Sequence, residues 1–201
     1  MVGIMGGTFN PIHYGHLMMC EHIREEFGLK KVLFVPAKSP PHKGGEWVAE
    51  AGHRMEMVRM AIRGNPFFEP CDVELRLEGP SYTVETLKIL TGEYGAENRL
   101  SLILGADSMV QFTTWKRYGE ILGMADIIVA KRPDTDSRAL DQAIARIRAE
   151  HNAVIHLSGA SELDLSSTRI RNRVREGLSI KYMVPECVEE YIHEHGLYTG
   201  E

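Results

Sequence analysis

Short apolar runs rich in β-branched residues alternate with helix-length segments through most of this 201-residue chain. Six of these runs are predicted strands, at residues 2–5, 32–36, 68–77, 100–104, 126–130 and 153–157. The predicted helices lie at residues 15–27, 52–63, 83–94, 118–124, 137–150, 167–176 and 185–195. Strands that alternate with helices form βαβ units. The pattern predicts an α/β fold with an open, mostly parallel sheet, helices on both faces and a small helical segment from about residue 165 to residue 201.

Length and composition limit the classes of protein to consider. A chain of 201 residues is predicted to form one domain, residues 1–201. Its net charge of −5 argues against a general nucleic-acid-binding protein, because binding the phosphate backbone needs a surplus of Lys and Arg. The three cysteines are widely spaced, no apolar run approaches the ~20 residues that span a bilayer, and we see no secretory signal. We therefore expect a cytoplasmic protein without a membrane partner.

The segment directly after the first predicted strand reads GGTFNPIHYGH, from Gly6 to His16. Glycine permits close approach to a ligand and proline fixes φ, so this is a shaped turn. His13 and His16 follow it where an amphipathic helix begins. The two histidines could cap that helix, form part of a metal site with Cys20, or meet a ligand. The glycine pair does not continue as a dinucleotide-binding G-x-G-x-x-G, and the chain has no P-loop motif.

Glycines, hydroxyls and cations also follow the other predicted strands. The loop 37–51 carries Lys43, Gly105 and Asp107 follow the fourth strand, and Arg132 follows the fifth. The last strand leads to a segment with three hydroxyls and an arginine: Ser166, Ser167, Thr168 and Arg171. In open α/β sheets ligands bind beyond the carboxyl ends of the strands, and helix N-termini and cations bind phosphate. The arrangement indicates a phosphate-rich ligand, although Ser166 and Ser167 could simply cap a helix with a solvated arginine face.

Taken together, these segments resemble the nucleotidylyltransferase superfamily. Its H-x-G-H motif corresponds to His13-Tyr14-Gly15-His16, and its S-S-T-x-[IV]-R motif starts at Ser166. Five further segments are similar, in order, to landmarks of the bacterial nicotinate-nucleotide adenylyltransferases: VPAKSPPHK, PSYTVETL, LGADS, TTWKRY and AKRPD. The resemblance covers nearly the whole chain and implies a Rossmann-like fold. Thr8 and Asn10 stand where that family also uses Ser and Asp.

The resemblance implies transfer of AMP from ATP to nicotinate mononucleotide, which gives deamido-NAD and pyrophosphate. His13 and His16 would meet the triphosphate, and Lys43 and Arg171 would hold the leaving pyrophosphate. The other residues implied for ATP binding are Gly6, Gly7, Thr8, Phe9, Gly105, Asp107, Ser166, Ser167 and Thr168. Asp107 would contact a ribose hydroxyl or lie near the metal. Mg²⁺ is expected to arrive with ATP rather than in a site made of protein ligands alone.

The resemblance also implies how the pyridine nucleotide is held. Trp115 would stack on the nicotinate ring, although a tryptophan at such a position could equally serve only packing. The N–H groups around Tyr82 and Thr83, where a helix begins, would receive the carboxylate, and Arg132 would hold the substrate phosphate. These donors predict a preference for the acid over the amide, nicotinamide mononucleotide.

Three alternatives stay open from the sequence. The chain could use another phosphorylated acceptor, such as phosphopantetheine or a phospho-alcohol. It could be a nucleotide sensor without activity, since fold alone does not fix function. It could also be a metal-dependent hydrolase that uses His13, His16 and Asp107. The oligomeric state is open as well, because apolar residues in 184–198 could pack internally or form a homo-oligomer interface.

Overall fold

A six-stranded parallel sheet forms the centre of the computed structural model, which describes residues 1–39, 48–95, 98–131, 137–161 and 163–200. The strands are β1 (Val2–Gly7), β2 (Lys31–Pro36), β3 (Phe68–Pro70), β4 (Leu100–Gly105), β5 (Ala125–Lys131) and β6 (Ile155–Ser161). Their order is β3-β2-β1-β4-β5-β6, and every neighbouring pair is parallel. The predicted open Rossmann-like sheet is confirmed.

Nine α-helices lie in the described residues. They are α1 (Tyr14–Glu26), α2 (Ala51–Ile62), α3 (Val73–Arg76), α4 (Thr83–Tyr94), α5 (Ala106–Val110), α6 (Tyr118–Met124), α7 (Ser137–Glu150), α8 (Ser167–Arg175) and α9 (Glu186–Glu194). A short 3₁₀ helix occupies Phe112–Thr114. The seven predicted helices are all present within one residue of their predicted ends, whereas α3, α5 and the 3₁₀ helix were not predicted.

The predicted strand at residues 68–77 is wrong beyond Pro70. Strand β3 ends at Pro70, and the chain turns at Asp72, whose carbonyl accepts hydrogen bonds from the main-chain N–H groups of Leu75 and Arg76. Apolar and charged residues alternate from Val73 to Leu77 as they do in a strand, which is why the pattern predicts one. The structure instead buries both Val73 and its neighbour Glu74, which a strand with one polar face would not do.

Hydrophobic side chains pack on both faces of the sheet. On one face Phe34 and Ile128 belong to a core that includes residues of α1, α2, α8 and α9, and on the other Leu33 and Ile127 belong to a core that includes residues of α4, α5, α6 and α7. Residues near the end of the chain belong to the first of these cores: Val184, Val188, Ile192, Leu197 and Tyr198 are all buried. These apolar residues of segment 184–198 therefore pack internally.

The order of the strands determines where a ligand can enter. From β1 the chain passes to β2 on one side, and β4 pairs with β1 on the other side. This reversal of direction opens a crevice beyond the carboxyl ends of β1 and β4, where ligands of doubly wound sheets bind. Within the described ranges, no helix is long and apolar enough to cross a bilayer.

Candidate active site

Two adjoining cavities occupy the crevice beyond β1 and β4. The larger measures about 600 Å³ and the smaller about 290 Å³. Met5, Gly105 and Ser108 line both, so they form a shared wall. Two compartments that meet at the switch point can hold two reactants side by side.

The smaller cavity brings together residues from distant parts of the sequence. Those predicted for ATP or catalysis that line it are His13, His16, Gly105, Asp107, Ser166, Ser167 and Thr168. They come from the start of α1, the end of β4, the first turn of α5 and the start of α8. The N-terminal ends of α1 and α8 therefore meet at one cavity, and helix N-termini favour anions.

His13 and His16 are held in one defined arrangement at the start of α1. His13 is the N-cap of the helix and its ring stacks on that of His16, with centroids 3.7 Å apart. The main-chain N–H of His13 donates to Nδ1 of His16 at 3.3 Å. A neutral imidazole has one donor and one acceptor nitrogen, so this bond places the proton of His16 on Nε2. Helix capping, one of the alternatives considered above, is thus present, and it leaves Nε2–H of His16 as a donor.

The electrostatic setting keeps His16 neutral. Burial lowers the pKa of His16 well below its usual range, and the nearby His13 lowers it further. A buried imidazole beside a second one gains nothing from a charge, because desolvation and like-charge repulsion both oppose it. His16 is therefore a neutral hydrogen-bond donor at ordinary pH.

Phe9, predicted for ATP binding, supports this arrangement instead of lining either cavity. Its ring is buried and meets the edge of His16, with centroids 5.2 Å apart. A Cβ at Gly7 would lie 3.1 Å from that ring, so a glycine at position 7 makes room for Phe9. Gly6, Gly7 and Thr8, also predicted for ATP, line the larger cavity and not the smaller one.

The start of α8 is tied to the turn that precedes His13. Ser166 caps α8 by accepting a hydrogen bond from the main-chain N–H of Arg169, and Ser167 Oγ donates to the carbonyl of Pro11 at 2.8 Å. Arg171 is only 9% exposed, and its guanidinium donates to the Asn10 carbonyl and to Thr168 Oγ1. Arg171 is thus part of the turn's support and not of a solvated arginine face, and it lines neither cavity in this structure.

The larger cavity contains the residues predicted for the pyridine nucleotide that the structure describes. Tyr82 and Thr83 stand at the start of α4, and Trp115 packs against Phe112, with ring centroids 5.3 Å apart. Lys116 also lines this cavity, with its ammonium 3.9 Å from the centroid of the Tyr82 ring. Lys116 was not among the predicted site residues, although its place in TTWKRY beside Trp115 was a usable signal.

Glu74 is a second residue of the larger cavity that the sequence did not reveal. It is buried, and Thr86 Oγ1 donates to its carboxyl group at 2.7 Å. Burial raises the pKa of Glu74, although hydrogen bonds from Thr86 and Ser81 act in the opposite direction. The sequence predicts a strand at this position, and that prediction does not direct the Glu74 side chain into the cavity.

Two predicted site residues, Lys43 and Arg132, lie outside the described residues. Across the ranges that are described, no group of three His, Cys, Asp or Glu residues could hold a metal ion. Cys20, considered above as a metal ligand, is buried in the hydrophobic core, and burial raises the pKa of its thiol. Its surroundings are those of a packing residue.

A sequence profile described as Cytidylyltransferase-like matches residues 4–173 of the chain. The chain therefore belongs to the cytidylyltransferase-like family and is a nucleotidyltransferase. A protein of Thermoanaerobacter sp. (strain X514), named "Probable nicotinate-nucleotide adenylyltransferase", is 44% identical over 200 residues, covering 100% of this chain and 95% of the relative. A protein of the same name from Moorella thermoacetica is 45% identical over 197 residues, with 98% and 91% covered. Within the family, the chain belongs to the nicotinate-nucleotide adenylyltransferases.

Solved structures show the same fold. The Plasmodium falciparum nicotinic acid mononucleotide adenylyltransferase complexed with NaAD superposes with a TM-score of 0.80 at 20% identity, covering 100% of this chain and 98% of the other. The same Plasmodium falciparum enzyme complexed with APC gives a TM-score of 0.76 at 18% identity, with 100% and 98% covered. Identities this low support the architecture alone.

Proposed function

We propose that this protein transfers the adenylyl group of ATP to nicotinate mononucleotide, giving deamido-NAD and pyrophosphate in NAD biosynthesis. The pair of adjoining cavities carries the proposal. One has histidines and hydroxyls at two helix N-termini, and the other has an aromatic ring, a cation and a third helix N-terminus. The names of the relatives that are 44% and 45% identical support the same reaction. The fold relative complexed with NaAD is consistent with it.

The reaction needs no nucleophile from the protein. A phosphate oxygen of nicotinate mononucleotide attacks the α-phosphorus of ATP, the bond from that phosphorus to the bridging oxygen breaks, and pyrophosphate leaves with that oxygen. The protein aligns the two anions in line and stabilises the charge that develops on the α-phosphate oxygens. No covalent intermediate with the enzyme forms. The shared wall of Met5, Gly105 and Ser108 is where the two reacting groups would meet.

In this proposal, His16 supplies a neutral Nε2–H to an α-phosphate oxygen. Its Nδ1 is already bound to the main-chain N–H of His13, so the ring orientation and the tautomer are set before substrate binds. A donor that is already oriented needs no reorganisation during the reaction. The N-terminus of α1 adds partial positive charge, and His13 contributes a second imidazole to the same cavity.

The remaining roles on the ATP side are distributed around the smaller cavity. Ser167 and Thr168 would contact the phosphates or shape the adenosine site, and Gly105 and Asp107 would line the ribose region. Lys43 and Arg171 would hold the leaving pyrophosphate. Mg²⁺ would arrive with ATP as part of the substrate, and Asp107, which is exposed at the smaller cavity, would contact a ribose hydroxyl or lie near the metal.

The larger cavity would select the acceptor. Trp115 offers a ring face to the pyridine. The main-chain N–H groups of the first turn of α4, which begins at Thr83, would receive the nicotinate carboxylate. Lys116 adds a positive charge beside Tyr82, and Arg132 would hold the substrate phosphate. A carboxylate gains more from these donors than an amide does, so we propose a preference for nicotinate over nicotinamide mononucleotide.

Pyrophosphate release with Mg²⁺ and ATP tests the proposal, with nicotinate and nicotinamide mononucleotide as parallel acceptors. Turnover with the acid at a rate well above that with the amide is the expected result. Equal rates would remove the selectivity argument but keep the reaction class. Release with a different phosphorylated acceptor alone would refute the proposed substrate, and binding of ATP without any release would indicate a sensor.

A further inference from the structure

The turn between β1 and α1, residues 8–13, is held mainly by side chains from other parts of the chain. Arg54 Nη1 donates to the carbonyl of Thr8 at 2.7 Å, and Arg171 Nη1 donates to that of Asn10 at 3.0 Å. Ser167 Oγ donates to the carbonyl of Pro11. Buried main-chain carbonyls need such partners. Side chains from other segments therefore fix the position of the turn and of His13 at its end.

Arg54 is the most completely buried of these supports. It is 1% exposed, and its guanidinium donates to three main-chain carbonyls, those of Thr8, Lys38 and Ala49. The three acceptors lie in different parts of the chain: Thr8 follows β1, Lys38 follows β2, and Ala49 precedes α2. One side chain thus fixes the turn relative to two neighbouring segments.

Asn10 lies at the centre of the turn and receives donors from two further segments. Its side chain is 1% exposed, and its Oδ1 accepts from the main-chain N–H of Ala49 at 3.1 Å and from the hydroxyl of Tyr198 at 3.0 Å. Tyr198 follows α9, 188 positions further along the chain, and is 5% exposed. Burial raises the pKa of the Tyr198 phenol, which therefore keeps its proton and stays a donor.

The ring of Tyr198 belongs to the first hydrophobic core, so the direction of its hydroxyl towards Asn10 is set by packing as well as by the hydrogen bond.

We propose that Tyr198 is a positioning residue for the nucleotidyl-transfer site: its hydroxyl, through Asn10, sets the turn that presents His13 and His16 to the smaller cavity. The proposal rests on the proposed function for its kinetic consequence. It assigns no contact between Tyr198 and substrate. His13 and His16 line the smaller cavity, whereas of the turn itself only Thr8 lines the larger one, so the ATP side should be affected more than the acceptor side.

The test compares Tyr198→Phe with Tyr191→Phe. The first variant keeps the ring and removes only the hydroxyl. The second removes a matched hydroxyl, which is hydrogen-bonded to His53 Nδ1 at 2.9 Å between α9 and α2, away from both cavities. For Tyr198→Phe we expect kcat/KM for ATP to fall about three- to tenfold, the loss of one net hydrogen bond. The KM for the acceptor should change less than twofold.

Thermal denaturation of both variants is measured alongside the kinetics, so that a loss of turnover can be separated from a loss of stability. Equal kcat/KM for ATP in Tyr198→Phe and the unchanged protein, or an equal loss in both variants, would overturn the proposal. Failure of the unchanged protein to use nicotinate mononucleotide would instead count against the proposed function, and the comparison would then use whichever acceptor it accepts.

Hydrogen exchange without substrate gives a second measurement that does not depend on any activity. Peptides that cover residues 8–16 should exchange faster in Tyr198→Phe than in the unchanged protein, and at the unchanged rate in Tyr191→Phe. Unaltered exchange of these peptides in Tyr198→Phe would also overturn the proposal.

Discussion

Gly15 lies under the ring of His13, so close that a side chain at position 15 would displace the histidine. A Cβ built at Gly15 would stand 3.0 Å from His13 Nδ1 and 3.1 Å from Cε1. Contacts this short are rare for a real Cβ, so the ring would have to shift by a few tenths of an ångström. The glycine of the H-x-G-H motif is thus explained by packing against its first histidine.

Gly15→Ala should therefore lower kcat several-fold, because even small displacements of aligned catalytic groups reduce the rate. Gly52→Ala is a matched control, since Gly52 is likewise the second residue of a helix and a Cβ there meets nothing within 4 Å. The control should keep its activity and gain up to about 1 kcal/mol of stability, the usual difference between Ala and Gly in a helix. Unchanged kcat in Gly15→Ala would show that the ring of His13 can move without consequence. Steady-state kinetics and urea denaturation of both variants would decide.

His16→Asn should reduce kcat by roughly 100-fold or more, the usual cost of losing a donor to a developing oxyanion. The amide oxygen of Asn can still accept the main-chain N–H of His13, so the start of α1 should stay folded. His16→Ala should show the same loss of turnover. Normal turnover in either folded variant would exclude the proposed contact with phosphate. Circular dichroism of the purified variants provides the control for folding.

The lowered pKa of His16 also predicts how stability depends on pH. Below about pH 6.5 the unfolded chain binds a proton at this histidine, and the folded chain does not until its lower pKa is reached. The free energy of unfolding should therefore decrease as the pH falls below about 6.5, by at most about 1.4 kcal/mol per pH unit from this group. Urea denaturation at pH 7.5 and pH 5.5 should show a smaller decrease for His16→Asn than for the unchanged protein. Equal decreases would mean that His16 ionises normally in the folded state.

Trp115→Ala should raise the KM for the pyridine nucleotide about tenfold while changing the KM for ATP much less. Stacking of a base on an aromatic ring contributes roughly 1–3 kcal/mol, and Trp115 lines only the larger cavity. Trp115→Phe keeps a ring against Phe112, and its KM for the pyridine nucleotide should lie between those of the unchanged protein and Trp115→Ala. An equal rise of both KM values in Trp115→Ala would argue against stacking. The measurement is steady-state kinetics with each substrate varied in turn.

Glu74→Gln should stabilise the protein more at pH 8 than at pH 4.5. The raised pKa of Glu74 means that the unfolded carboxyl ionises first, so the folded state loses stability as the pH rises from about 4.5 through the folded pKa. Gln removes that loss and keeps an oxygen for the Thr86 hydroxyl. Glu78→Gln, at an exposed carboxylate on the following turn, is the control and should show no such difference. Denaturation at both pH values tests this, and equal effects of Glu74→Gln at the two would contradict it.

Much of the fold could be predicted because strands and helices have different apolar periods. The six strands were found in order, and α4, α6 and α7 were placed at their observed ends. The strand predicted at 153–157 is observed at Ile155–Ser161. The larger exception is residues 73–77, where a helical turn happens to alternate like a strand. Prediction from local pattern fails there because burial on the tertiary fold, not the local pattern, decides the conformation.

The candidate site shows a similar division. His13, His16 and the hydroxyls of α8 were identified because each directly follows a strand or starts a helix. Arg54 was not, because the sequence of α2 does not distinguish it from Arg59, which is exposed on the same helix. The bond from Tyr198 to Asn10 joins residues 188 positions apart, and no local pattern encodes such a contact.

The wall that the two cavities share has a consequence for the release of product. On the proposed function, deamido-NAD extends across Met5, Gly105 and Ser108 and keeps the contacts that two separate substrates made. The two halves of the dinucleotide are joined, so the molecule loses its translational freedom only once on binding. When one half is bound in its cavity, the local concentration of the other half at the neighbouring cavity is raised. The dinucleotide is thus held by the same surfaces that recognise its precursors, and it competes with both of them for the empty enzyme.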